Sequence, residues 1–185
     1  MANLREKFMK ELAPELQKKL GLTNKMLVPR LEKVVLNMGF GIVEKDLQKQ
    51  ILDDLAKITG QRPVTCKARK SISNFKLRQG MIIGAKVTLR RDKMYDFVER
   101  LCNSMLARIR DFHGVPNRGF DGRGNYTLGL KEHSIFPEMI DTGVTGEADV
   151  GLDITFVTTA RDDKGAKELL IALGMPFAGR NAQKA

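Results

Sequence analysis

The sequence predicts an α+β fold, a mostly antiparallel sheet with helices on one face. Three observations predict it. Val64 to Arg69 and Ala85 to Arg90 alternate polar and apolar residues with the period of half-buried strands. Other segments repeat apolar residues at helical spacing. The two kinds follow one another irregularly, unlike the regular strand–helix alternation of a parallel sheet.

Taken in order, Leu4, Phe8, Leu12, Leu16 and Leu20 form one apolar stripe of a helix, with Asn3 able to cap its start and Gly21 its end. It belongs to an N-terminal helical extension over residues 1–28. Val34 to Met38 reads as a strand closed by Gly39-Phe40-Gly41. Leu47, Ile51, Leu55 and Ile58 mark a second helix, ended by Gly60. In the next strand Val64, Cys66 and Ala68 face one way and Thr65, Lys67 and Arg69 the other. In its partner Ala85, Val87 and Leu89 oppose Lys86, Thr88 and Arg90.

Between these strands runs a basic loop, about Lys70 to Gly84, too long for an ordinary hairpin turn. It is also too apolar, at Ile72, Phe75 and Leu77, for a solvated one, so it is expected to be mobile alone and ordered by a partner. Asp92 is expected to cap a third helix, with Met94, Phe97, Val98, Leu101, Met105 and Ile109 inward. Gly114 to Gly129 reads as a glycine-rich loop. Val150 to Thr158 reads as a strand, with Val150, Leu152, Ile154 and Phe156 on one face. Asp162 opens a last helix, with Ala166, Leu169, Leu170 and Leu173 inward and Gly174 and Pro176 stopping it. Residues 180–185 read as a flexible tail. The expected architecture is a ferredoxin-like or RRM-like variant, with residues 1–185 a single domain from which the 70–84 loop protrudes.

The 185 residues carry 32 Lys+Arg and 22 Asp+Glu, a formal net charge of +10. That excess is local. From Leu55 to Arg91 there is no acidic residue and there are ten basic ones, which leaves 22 basic and 22 acidic residues elsewhere. Glu132 to Ala160 is the inverse, with six acids and no Lys or Arg. Soluble surfaces ordinarily intersperse both signs, so a block of one sign implies a polyanionic partner, nucleic acid first.

Other classes recede. No apolar run approaches the ~18–20 residues of a membrane span, and Met1 to Lys7 lacks the apolar segment of a signal peptide. A cytoplasmic chain with no membrane partner is expected. Cys66 and Cys102 are far apart and outside any CxxC spacing, so neither a zinc site nor a disulfide framework is supported. His113 and His133 lack ligand-spaced neighbours, and each is read as a hydrogen-bonding or surface histidine. Ser73-Asn74-Phe75-Lys76 fits SxxK without the rest of that active site, and Gly39-Phe40-Gly41 lacks the third glycine of a dinucleotide loop. No catalytic residue, metal, cofactor or small-molecule substrate is expected.

The charge map and the strand map coincide. The polar faces hold Thr65, Lys67, Arg69, Lys86, Thr88 and Arg90, and Asn37 falls opposite Val34, Leu36 and Met38. Lys and Arg suit phosphates, while Thr and Asn suit sugar or base edges. These faces carry no aromatic residue, unlike the stacking sheet of an RNA-recognition motif. An enzyme that modifies or cleaves RNA is the alternative reading, but it needs a positioned base, nucleophile or metal cluster. An architectural DNA binder needs a groove helix or wedge, whereas here the basic residues lie on strands and a loop.

Leu55-Ala-Lys-Ile-Thr-Gly-Gln-Arg-Pro-Val-Thr-Cys-Lys-Ala-Arg-Lys-Ser71 resembles the signature of the bacterial large-subunit ribosomal protein five family. The likeness continues through Ser71-Ile-Ser-Asn-Phe-Lys-Leu-Arg-Gln-Gly80, Val87-Thr-Leu-Arg-Arg91, Arg108-Ile-Arg-Asp-Phe112 and Gly119-Phe-Asp-Gly-Arg-Gly-Asn-Tyr126. It also takes in Ile135-Phe-Pro-Glu138, Leu152-Asp-Ile154, Pro176-Phe177 and Pro29-Arg-Leu-Glu-Lys-Val-Val-Leu-Asn-Met38, so it covers nearly the whole chain.

The resemblance implies a non-enzymatic ribosomal protein with three main contacts. A 5S rRNA face would comprise Asn37, Gln61, Arg62, Thr65, Lys67, Arg69, Lys86, Thr88, Arg90 and Arg91. A loop reaching the peptidyl-site tRNA would use Lys70, Ser71, Asn74, Lys76 and Arg78. An intersubunit bridge to small-subunit head protein thirteen, from about Phe112 to Gly146, would involve Arg110, His113, Arg118, Arg123, Glu138 and Asp141. The family also implies 23S rRNA and other large-subunit proteins of the 5S particle as partners. The sequence departs from the family pattern at His113, where an Arg is common, over Asp141 to Asp149, and in the tail from Gly179.

Overall fold

A computed structural model describes residues 4–109, 112–140 and 150–178. The chain starts with α1 (Leu4–Lys7), a π-turn (Phe8–Leu12) and α2 (Ala13–Lys19), which together make one helical run. Pro14 accounts for the wide turn. It has no N–H to donate and its ring crowds the carbonyl four residues back; the turn before it opens so that the Ala13 N–H reaches the Phe8 carbonyl instead. Phe8 and Leu16 are the buried side chains of the predicted stripe. Gly21, at φ +62°, ends the run. Asn3 lies outside the described residues.

Then come β1 (Leu31–Gly39), α3 (Lys45–Thr59), β2 (Val64–Lys67), β3 (Ile82–Leu89), α4 (Arg91–Arg100), β4 (Tyr126–Leu130), α5 (Pro137–Ile140), β5 (Leu152–Thr158) and α6 (Asp163–Ala172). The five strands form an antiparallel sheet in the order β2-β3-β1-β5-β4. The order of β2, β3, β1 and β5, with α3 after β1 and α4 after β3, is that of the split βαβ ferredoxin-like arrangement. β4 is an added edge strand.

Two compact units divide the chain: Met1–Val34, Leu89–Leu128 and Thr155–Ala185 form one, Val35–Thr88 and Gly129–Ile154 the other. The first is built on Phe97, Leu101, Phe156, Leu169 and Leu170, all fully buried. Phe120, Tyr126 and Phe177 cluster there, with the Tyr126 ring 4.7 Å from Phe120 and 5.4 Å from Phe177. The Tyr126 hydroxyl donates to the Pro116 carbonyl at 2.8 Å, and burial pushes its phenol up. Arg5 pairs with Asp92 at 2.6 Å and the Phe8 ring lies 6.0 Å from Tyr95, so α1 and the π-turn are held to α4 within this unit.

In the second unit Leu36, Met38, Ala85 and Val87 from the strands and Ile51, Leu55 and Ile58 from α3 make the core. Gly60, at φ +63°, closes α3 as predicted. Phe136 and Met139 are also buried there.

Four expectations need correction. Asp92 does not cap α4: Arg90 occupies the N-cap with no side-chain cap bond, and Asp92 accepts from Arg5 instead. Ile109 lies past the end of the helical stretch, on extended backbone and half-buried, rather than on its inner face. The glycine-rich segment is no uniform loop, since it contains β4, whose Tyr126, Leu128 and Leu130 are buried between exposed Thr127 and Gly129. The basic loop ends earlier than Gly84, because Ile82, Ile83 and Gly84 already belong to β3.

His133 is no surface residue. It is 4% exposed, as is Asp54. Its Nδ1 accepts the Val150 N–H at 3.2 Å, and its Nε2 lies 3.7 Å from Asp54 Oδ2. Lys57 Nζ completes the group 3.6 Å from Asp54 Oδ1. His133→Leu strands the Val150 N–H and removes one partner from a buried carboxylate. The expected loss is about 2–4 kcal/mol of unfolding free energy, read from denaturant midpoints at unchanged slope.

Candidate nucleic-acid interface

β3 is an interior strand, and its alternation reports its two faces faithfully. Ala85, Val87 and Leu89 are buried, Lys86 is exposed and Thr88 half-buried; Arg90, just past its end, is exposed too. On β1, Asn37 is exposed while Leu36 and Met38 are buried, as predicted. Gly84 must be glycine here: a Cβ would sit 2.9 Å from the Met38 carbonyl oxygen, so the close approach of backbone needs a residue without one.

β2 behaves differently. It pairs antiparallel with β3 in the register Val64↔Lys86, Thr65↔Ala85 and Cys66↔Gly84, then shifts to Lys67↔Ile82. Directly opposed residues share a face. Val64 therefore lies on the face of Lys86, and Thr65 on the face of buried Ala85. The expected alignment of Thr65 with Lys86 and Thr88 is thus overturned. Thr65 instead lines a groove of about 550 Å³ with Lys49, Leu52 and Asp53 of α3 and with Arg62. The physical reason is position in the sheet: β2 is an edge strand, Val64 is 61% exposed, and polarity no longer marks the inside. Beyond the shift, Lys67 and Arg69 are exposed and Ala68 is buried.

Gln61 follows the turn that ends α3. Its Nε2 donates to the Thr88 carbonyl at 3.4 Å, and Thr59 Oγ1 accepts the Gln61 N–H at 3.3 Å. Its amide is therefore held beside Thr88. Arg90 Nη1 lies 3.9 Å from Glu32 Oε1, an exposed pair of little energetic weight. Arg91 is exposed and takes φ +55°, an uncommon backbone for a residue with a Cβ.

The basic loop carries its own hydrogen bonds. Ile72 and Leu77 exchange backbone bonds of 2.9 and 3.0 Å around a 3₁₀ turn, Ser73–Phe75. The Gln79 N–H donates to Ser71 Oγ at 2.9 Å. At its base Ala68 bonds to Met81 and Gly80 at 2.8 and 3.0 Å. Lys70, Ser71, Asn74, Lys76 and Arg78 are all exposed. The loop residues from Lys70 to Gly80 are exposed except for half-buried Leu77, so the loop is not folded back into the core.

Of the residues expected at a protein bridge, His113, Arg118 and Arg123 are exposed and Glu138 is half-buried on α5. Arg110 and Asp141 lie outside the described residues. The loop carrying Arg123 is shaped by Asp121, which accepts from the Arg123 and Asn125 N–H groups at 2.8 and 3.0 Å. The Asn125 side chain also donates to it, and this bond first of all holds its carboxyl below the usual range.

Chemically, the strands and loop offer cations, hydroxyls and amides, which is the vocabulary of phosphate and sugar contacts. Cys102 is no reactive thiol, since burial pushes it up to about 12. Among the described residues no group of three or more His, Cys, Asp or Glu is placed to hold a metal ion. No helix among them is long and apolar enough to cross a membrane.

Comparison with known proteins agrees on one family. Residues 24–78 match the family model described as ribosomal protein L5, and residues 82–177 match the model for the C-terminus of the same ribosomal family. The large ribosomal subunit protein uL5 of Acidobacterium capsulatum is 55% identical over 180 residues, 95% of this chain and 97% of its own length. The proteins of the same description from Desulforamulus reducens and Streptococcus sanguinis are each 52% identical, over 96% of this chain and 98% and 99% of theirs.

Proposed function

The chain belongs to the ribosomal protein L5 family, and from that premise we propose that it holds 5S rRNA in the large ribosomal subunit through its cationic strand pair. The protein is structural and not an enzyme. One observation carries the proposal: 37 successive residues hold ten cations and no acid. Lys67, Arg69 and Lys86 all stand exposed within them. Phosphates are neutralised by these side chains. Asn37, Thr88 and the tethered amide of Gln61 set the register along sugar and base edges. Arg90 and Arg91 extend the cationic row along the chain. Thr65 and Arg62 serve from the groove beside α3.

The finer contacts follow the same logic. The 70–80 loop, exposed and cationic, suits the peptidyl-site tRNA. His113, Arg118, Arg123 and the acidic residues from Glu132 onward suit a bridge to small-subunit head protein thirteen. 23S rRNA and neighbouring large-subunit proteins complete the surroundings.

The test is the salt dependence of binding to isolated 5S rRNA. Neutralising phosphates releases counterions, so log K falls against log salt by roughly 0.7–0.9 per phosphate contacted. A steep negative slope is expected in a filter-binding titration. A slope near zero refutes the electrostatic grip.

A further inference from the structure

We propose that Phe75 is a stacking finger for an unpaired RNA base, with the phosphate of that nucleotide lying in the groove beside it. The inference deepens the reading of the chain as an RNA-binding protein and rests on it. Of the nine phenylalanines, Phe75 alone is exposed, at 72%. An aromatic ring left in water at the end of a loop has either an apolar partner or a π-face partner. The surrounding charge decides between them. Lys70, Lys76 and Arg78 flank Phe75 in the chain, and no acid occurs anywhere from Leu55 to Arg91.

The same turn forms a groove of about 470 Å³ lined by Ser71, Ser73, Lys76, Leu77 and Arg78. Two cations and two hydroxyls make a phosphate and sugar site, not an apolar peptide site. A base on Phe75 and its phosphate in this groove would together use both features, and base–aromatic stacking is tolerant of sequence.

The finger is also built before its ligand arrives. The reciprocal Ile72–Leu77 bonds and the Lys76 N–H to Ser73 carbonyl bond of 3.0 Å fix the turn that carries the ring. Lys76 takes φ +53°, a conformation that a residue with a Cβ adopts only when its surroundings enforce it. Little ordering is therefore left for binding to supply, unlike the partner-ordered loop that the sequence predicts.

The experiment uses the full chain and two RNA probes at low salt: a hairpin with a loop of unpaired nucleotides and a fully paired duplex of equal length. Phe75→Trp introduces the only indole in the chain. Its emission is expected to be quenched by the hairpin and unchanged by the duplex. Phe75→Ala and Phe75→Leu are both expected to weaken hairpin binding by roughly five- to hundred-fold, with Phe75→Tyr retaining it. Full affinity in Phe75→Leu means that an apolar contact suffices, which points to a peptide partner and overturns the proposal. So does an unquenched indole, or a wild-type chain that does not prefer the hairpin. Binding of 5S rRNA to the wild-type chain, measured alongside, reports separately on the function proposed above. Its loss would sink that reading, whereas intact 5S binding with an unquenched indole sinks only the stacking finger.

Discussion

Lys67→Glu, Arg69→Glu and Lys86→Glu combined are expected to weaken 5S rRNA binding about a thousand-fold or more. Each of the three side chains is exposed within one compact unit. A hydrogen bond to a charged group contributes about 1.5–3 kcal/mol, so three lost phosphate contacts remove at least ~4.5 kcal/mol before the new repulsion is counted. The fold should survive, since exposed substitutions away from caps and cores each change stability by only about 0.5 kcal/mol. The measurement is a filter-binding isotherm with a thermal melt of the same sample. A tenfold effect or less, at an unchanged melting temperature, would mean that RNA approaches another face.

The second large effect concerns Gly124, in the loop before β4. Its φ is +80°, and a Cβ built on it would lie 2.7 Å from the Ala160 carbonyl oxygen and 2.9 Å from the Ala160 Cβ. The backbone cannot move aside freely. The Gly124 N–H donates to Asp163 Oδ1 at 3.1 Å, and its carbonyl accepts Thr158 Oγ1 at 2.6 Å. Gly124→Ala therefore combines backbone strain with overpacking against main chain, a loss of about 3 kcal/mol or more. At roughly 2–4 °C per kcal/mol for a chain of this size, the midpoint should fall by roughly 6–12 °C. Gly122→Ala is the control. Its φ is +81° but nothing lies within 4 Å of its Cβ, so only the strain remains, about 1–2 kcal/mol. Equal losses in the two variants would show that the contact with Ala160 contributes nothing.

The helices were legible because each buries one stripe. Ile51, Leu55 and Ile58 and Leu169 and Leu170 are buried as their spacing requires. β3 was legible for the same reason from Ala85 on, where buried Ala85, Val87 and Leu89 alternate with exposed Lys86 and half-buried Thr88. Thr65 departs from its alternation because β2 is an edge strand with a register shift, and neither property leaves a mark in four residues. β4 carried a legible alternation in Tyr126, Leu128 and Leu130, but Gly122, Gly124 and Gly129 masked it as loop. The Asp54–His133 pair could not be found locally. Asp54 falls on the apolar stripe of α3, which hints at burial, yet its partner comes from a distant segment and is brought there by tertiary folding alone. Phe75 was visible as an apolar residue in a basic loop. The turn that presents it depends on hydrogen bonds that no composition predicts.

The division of the first compact unit into three stretches of chain has a temporal consequence. Its α1 and π-turn close against α4, and Lys19 of α2 pairs with Glu168 of α6. During synthesis at roughly 5–20 residues per second, the apolar side of the N-terminal run waits on the order of ten seconds for α6 to emerge. Over that interval Lys19 is without its partner Glu168, and α2 without the helix it packs against. Among the described residues, the helix made latest thus pairs with one made early, α2.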